Sequence, residues 1–218
     1  MSNAHLALRL EGPLQSWGSE SQFARRQTNP LPTKSAILGI CCAAMGLHKG
    51  SPDEAAFLAA PLGCLIIALN RPDAKHPTGR LEDYHTVQNT RIASGGTKDT
   101  HLTRRDYLTD AKFAAILSGE PSLIARIAAA LADPKWGIWL GRKACIPSAP
   151  ILAGKCDTEA EAVALLLKGE PLTAFTRQRE VATFAEGSDT LADAPLPFAT
   201  PRQFAPRRVL RREAGQQD

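Results

Sequence analysis

From Asn70 to Thr103 the sequence carries no sustained apolar period, whereas the stretches on either side of it do. An interruption of that length inside a compact chain is a functional excursion or disorder rather than an ordinary connection. It divides the rest into short periodic segments whose order can be read. Leu6, Leu8 and Leu10 alternate with Ala7 and Arg9, which predicts a strand over 5–11 ended by Gly12-Pro13. Thr33 is placed to cap a helix over 34–47, with Ile37, Leu38, Cys41 and Met45 at helical spacing and Gly46 near its end. Ser51-Pro52-Asp53-Glu54 is a capping box with proline at the first helical position, opening a short helix that runs to Ala60. The continuous apolar run from Cys64 to Leu69 predicts a buried strand.

After the interruption the periodicity resumes. Residues 104–117 read as a strand with Tyr107, Phe113 and Ile116 among its apolar positions. Glu120-Pro121-Ser122 opens a helix over 122–132 that Asp133-Pro134 ends. Trp136-Gly137-Ile138-Trp139-Leu140 reads as a further strand. The succession is strand, helix, strand, strand, helix, strand, with one extra helix after the first. That is the split βαβ order of an α+β, ferredoxin-like core. Thr158 and Glu161 make another capping box for a helix over 159–168. Residues 171–184 are expected to pair as a strand or hairpin, and the tail from Asp193 is rich in proline and arginine. This divides the chain into a core over 1–145, with an insertion at 71–103, and a C-terminal extension over 146–218 with a basic tail.

At 218 residues the chain is long enough to bury a core without disulfides or a structural metal. No run approaches the ~18 apolar residues of a membrane span. The N-terminal apolar stretch is short and carries Arg9, unlike a signal sequence, so a cytoplasmic location without membrane partners is expected. The five cysteines form no C-x-x-C, and Cys41 and Cys42 are adjacent, which predicts free, mostly buried thiols. Net charge is only +4, but it is unevenly spread: residues 1–50 carry +3, residues 158–199 carry −4 and the last 18 residues carry +3. A fold that brings the two basic ends together would grip a polyanion.

No phosphate-binding glycine loop, zinc-protease helix or nucleophile elbow is present. His76, His85 and His101 share the insertion, but their spacing matches no ligand pattern and nothing completes a tetrahedron, so neither metal nor cofactor is expected. His85 follows Asp83-Tyr84. Metal-free RNA cleavage needs a base for the 2′-hydroxyl and an acid for the leaving oxygen, and Tyr84, His85 and Lys34 have the side chains for it. The plainer alternative is that His85 only hydrogen-bonds backbone or RNA. Arg25 and Arg26 follow Phe23, Lys34 and Ser35 open the first helix where free N–H groups favour an anion, and Arg142 and Lys143 follow Gly141. Each pair is either a solvated surface charge or a phosphate contact. Trp17, Trp136 and Trp139 are singly more often core than stacking platforms.

Six segments together resemble a known family. They are Leu8-Arg9-Leu10-Glu11-Gly12-Pro13-Leu14-Gln15-Ser16-Trp17-Gly18, then Pro32-Thr33-Lys34-Ser35 with Leu38-Gly39, then Asp83-Tyr84-His85-Thr86-Val87. Arg105-Asp106-Tyr107-Leu108-Thr109-Asp110-Ala111, Leu140-Gly141-Arg142-Lys143-Ala144-Cys145-Ile146-Pro147 and Pro201-Arg202-Gln203-Phe204 complete the set. Their order and spacing resemble the CasD subunits of Cascade, the crRNA-guided surveillance complex of type I-E CRISPR systems. The resemblance implies a RAMP-superfamily fold, with an RRM-like ferredoxin core and a thumb, which the insertion would supply. It implies a non-catalytic subunit that caps the complex and holds the 5′ handle of crRNA, beside backbone and large subunits. A relative in type I-C systems cuts precursor RNA without metal, so the alternative is an endoribonuclease using His85, Tyr84 and Lys34. The RNA contacts implied are Trp17, Arg25, Arg26, Lys34, Ser35, His85, Arg91, Arg142, Lys143 and Arg202.

Overall fold

A computed structural model describes residues 3–18, 21–22, 25–70, 78–92, 94–198 and 203–217. Phe23, His76 and Arg202 lie outside these. The fold is α+β and built mainly on antiparallel strands. The main sheet has seven, β1 (Ala4–Glu11), β5 (Gly63–Ala68), β8 (Lys112–Gly119), β9 (Leu152–Cys156), β10 (Arg177–Glu180), β11 (Asp189–Pro195) and β12 (Phe204–Arg212). Their spatial order is β11-β12-β10-β5-β8-β1-β9, each pair antiparallel.

Side-chain alternation explains why helices cover both faces of this sheet. Leu6, Leu8 and Leu10 of β1, Cys64 and Ile66 of β5, and Phe113, Ala115 and Leu117 of β8 share one core. Helices α1 (Lys34–Met45) and α3 (Pro121–Ala132) complete it with Ile37, Leu38, Cys41, Ile124 and Ile127. Ala7, Leu65, Ile67, Ala114 and Ile116 face the other way, onto Ala162, Leu166 and Leu167 of α4 (Glu159–Leu167). Truncating a fully buried leucine in such a layer costs about 2–5 kcal/mol. The caps sit where the sequence placed them: the Thr33 side chain accepts from the Ala36 N–H, Ser51 accepts from Glu54 at the head of α2 (Pro52–Leu58), and Thr158 with Glu161 closes a full capping box.

Two expectations need correction. Residues 136–140 are not a strand. The N–H groups of Lys135 and Trp136 donate to Ala44 and Ala43 at the end of α1, and Leu140 N–H to Cys145, so the segment is a strap across that helix end. β9 takes the sheet position beside β1 instead. Residues 104–117 are not one strand, because Asp110 turns at φ +53° and donates its N–H to Pro13, and the arms on either side join different sheets. In the C-terminal region β10, β11 and β12 extend the main sheet next to β5.

The described residues of the aperiodic insertion belong to a two-stranded arm. Strands β6 (Gly79–Arg91) and β7 (Thr97–Thr109) pair antiparallel from Gly79↔Thr109 to Arg91↔Thr97. The base of β7 also pairs with β2 (Leu14–Gln15) and, in parallel, with β4 (Arg25–Arg26), which pairs with β3 (Ser21–Gln22). No helix among the described residues is long and apolar enough to cross a membrane.

Candidate nucleic-acid interface

A groove of about 470 Å³ runs along α1 and the turn after it, between the 136–142 strap and the segments at Ser16 and Arg26. Its walls combine two chemistries. Trp136, Trp139, Phe198 and Phe204 supply aromatic surface, and Arg26, Lys49 and Arg142 supply positive charge. Trp136 is 37% exposed and meets the His48 ring edge-on, with centroids 5.0 Å apart. The Lys143 ammonium lies 5.8 Å from the Trp139 ring centroid. The carboxylate that also lines the groove, Glu54, is turned into backbone. Its Oε2 accepts from the N–H groups of Gly50 and Phe198 at 2.7 and 3.2 Å. Burial and that nearby carboxylate push the Cys42 thiol up to about 12, so it is no nucleophile at neutral pH.

The strap is shaped by Gly141. It has φ +100°, and a Cβ there would strike the Ser16 carbonyl. The Ser16 N–H donates to Leu140 at 3.0 Å, and Cys145 N–H closes a turn onto Arg142 at 2.8 Å. Arg142 then reaches across the groove wall. Its guanidinium lies 4.6 Å from the Tyr107 ring centroid and donates to the carbonyls of Asp106 and Arg26 at 2.8 and 2.7 Å.

The expected contact residues fall into three groups. Arg26, Ser35 and Arg142 line the groove, with Lys143 beside it on the strap. Arg25, His85 and Arg91 lie on or against the hairpin. Arg25 is 3.7 Å from Glu82, His85 Nδ1 is 3.8 Å from Asp83, and Arg91 is exposed opposite Thr97 at the far end. Trp17 and Lys34 are elsewhere. Trp17 is wholly buried, edge-on to Phe113, because its ring plugs the core beneath β8. Lys34 is no open phosphate seat: its ammonium is held by both Glu180 oxygens at 2.7 and 2.8 Å, and its backbone N–H donates to Asp193 at 2.9 Å.

The three groups named for a nuclease are not brought together. Tyr84 and His85 are successive residues of β6 and project from opposite faces of the hairpin. Tyr84 is 60% exposed, under the Arg104 guanidinium at 5.9 Å, while Lys34 is engaged by β10. Among the described residues no cluster of His, Cys, Asp or Glu is arranged to hold a metal ion. Cys41, Cys42, Cys64 and Cys145 are buried free thiols and Cys156 is half-buried.

The sequence reading missed Lys49, Phe198 and Phe204, and placed Trp136 and Trp139 in a strand. The available signal was glycine at 137 and 141 between the aromatics, which suits a turning strap better than a pleated strand.

A family model for CRISPR-associated protein (Cas_Cas5) matches residues 5–210. The chain belongs to the CRISPR-associated Cas5 family. Within that family it is similar to the CRISPR system Cascade subunit CasD of Escherichia coli (strain K12), at 31% identity over 211 residues, 94% of this chain and 93% of that protein. A chain of a CRISPR RNA-guided surveillance complex superposes with TM-score 0.77 at 29% identity, covering 96% of this chain and 90% of that one. A Cas protein crystal structure superposes with TM-score 0.68 at 29% identity, covering 96% and 94%. The family match spans both walls of the groove and the whole hairpin.

Proposed function

We propose that this chain is a non-catalytic RNA-binding subunit of a type I-E CRISPR interference complex, and that it holds the 5′ handle of crRNA in the α1–strap groove. The observation that carries this reading is the meeting of Trp136, Trp139, Arg26 and Lys49 in one open groove of a Cas5-family chain. An unpaired RNA end is bound by stacking its bases on aromatic rings and by cations along its phosphates. A subunit that meets every guide has a constant segment to grip, the handle, so base contacts there and backbone contacts elsewhere suffice. The similarity to CasD and to a surveillance-complex chain supports crRNA and the other Cascade subunits as partners.

The finer fold reading follows the same line. The strands β5-β8-β1-β9, with α1 and α3 on one face, have the second-third-first-fourth order of a ferredoxin-like core. The β6–β7 hairpin is the thumb, reaching toward a backbone subunit. Arg25, His85 and Arg91 contact RNA from the hairpin side, and Ser35 and Lys143 from the groove. The non-catalytic reading is supported by the opposed directions of Tyr84 and His85 and by the pairing of Lys34 with Glu180.

The test is RNA retention by the assembled complex. Trp136→Ala with Lys49→Ala is expected to strip crRNA at moderate salt while the subunits still associate. Wild-type RNA content in that double variant would refute the groove as the site.

A further inference from the structure

Arg142 has the composition of a phosphate contact and the geometry of something else. We propose that Arg142 is a positioning residue that builds the RNA groove, not a residue that touches phosphate. This rests on the groove being the RNA site.

One face of the guanidinium is covered by the Tyr107 ring, which is itself buried. Nη1 donates to the Asp106 carbonyl at 2.8 Å and Nη2 to the Arg26 carbonyl at 2.7 Å. Each Nη spends one of its two N–H groups on a backbone carbonyl, so the protein holds the fork in plane and direction, and a phosphate could reach only the N–H groups left over. The carbonyls belong to chain segments 36 and 116 residues away. One side chain thus ties the strap to the base of β7 and to β4. Only arginine can do this, because a planar fork can stack and bridge two acceptors at once, whereas an ammonium on a flexible stem cannot. Fixing the Arg26 carbonyl also fixes the direction of the Arg26 side chain, which is exposed and lines the groove. The arrangement assigns the phosphate contacts to Arg26 and Lys49 and their placement to Arg142.

Salt dependence separates the two roles. A residue that neutralises a phosphate adds to the slope of log affinity against log salt, by about 0.7 per contact on single strands, and a residue that only shapes the site does not. The full chain is titrated with a fluorescent single-stranded RNA copied from the 5′ handle of its own CRISPR repeat, across a series of KCl concentrations. Arg142→Lys and Arg142→Gln are each expected to weaken binding about tenfold with the wild-type slope, and to lower Tm as the strap loosens. Tyr107→Leu, which removes the platform, is expected to reproduce that loss. Arg26→Gln is expected to lower the slope by about 0.7. Wild-type affinity in Arg142→Lys, with a lowered slope in Arg142→Gln, would make Arg142 a phosphate contact and overturn the proposal. If instead Arg26→Gln and Trp136→Ala both leave affinity and slope unchanged, the groove itself is not the site and both readings fall.

Discussion

Asp193 grips Arg207 with both carboxylate oxygens, at 2.5 and 2.9 Å, and each side chain is only 4% exposed. The same carboxylate accepts the backbone N–H of Lys34 at the head of α1. An anion therefore does sit at this helix terminus, as the positive end of a helix favours, but the protein supplies it from β11. Removing one partner of a buried ion pair strands the other charge, at about 3–5 kcal/mol. Asp193→Ala is expected to lower stability by that much, while Asp193→Ala combined with Arg207→Leu recovers part of it. Urea unfolding of the single and double variants checks this, and an unaltered midpoint in Asp193→Ala would contradict it.

Gly141 is the hinge on which the strap turns. Its positive φ and the Ser16 carbonyl leave no room for a side chain. Gly141→Ala is expected to cost roughly 1–3 kcal/mol of stability and to weaken RNA binding along with it. Thermal melts and RNA titration of the same sample measure both. Gly96, where added bulk meets only the Ile92 side chain at ordinary contact distance, serves as the tolerant control.

Glu82 lies between Arg25 and Arg104 at 3.7 and 3.4 Å, so RNA bound along the hairpin as proposed would have to compete with it for both. These are surface pairs, each worth only a few tenths of a kcal/mol to about 1 kcal/mol. Glu82→Gln is expected to tighten RNA binding about twofold to fivefold at low salt, and to steepen its salt dependence. Weaker binding in that variant would show that Glu82 organises the two arginines instead of masking them.

The buried thiols make stability fall at alkaline pH. Burial pushes the Cys64 thiol up to about 11, against an ordinary value of 9.0. The unfolded chain therefore releases this proton first as pH rises. Stability is unaffected below the unfolded value, then falls between pH 9 and about 11 by up to about 1.4 kcal/mol per pH unit for this group. Cys64→Ala removes the contribution, so its stability is expected to decline less steeply than wild type across that window. Parallel declines in urea unfolding would count against it.

Much of this fold is legible in the sequence where local signals and burial agree. The Leu6-Leu8-Leu10 alternation marks β1 because its two faces meet different cores. The Thr33, Ser51 and Thr158 caps mark three helix starts because each side chain bonds its own helix. The pattern fails where partners are remote. Arg207 is buried within β12, where Asp193 pairs with it from β11, so an arginine-rich tail conceals core strands. The β6–β7 hairpin buries little apolar surface, since the half-buried face of β6 carries Asp83, His85 and Val87, and so leaves no apolar alternation to read. At the groove, charge was visible and aromatic surface was misplaced, since Trp17 and Trp136 look alike in sequence. Burial alone separates them, with Trp17 sealed in the core and Trp136 open to the groove.

On the function proposed above, this chain holds a crRNA end without making it. The most direct measurement maps the 5′ ends of RNA that co-purifies with the tagged chain, expressed with its neighbouring genes, for wild type and His85→Ala. One repeat-derived 5′ end, at the same nucleotide, is expected in both samples. Loss of the defined end in His85→Ala alone would make the chain the processing nuclease, and the absence of RNA from both samples would contradict RNA binding altogether.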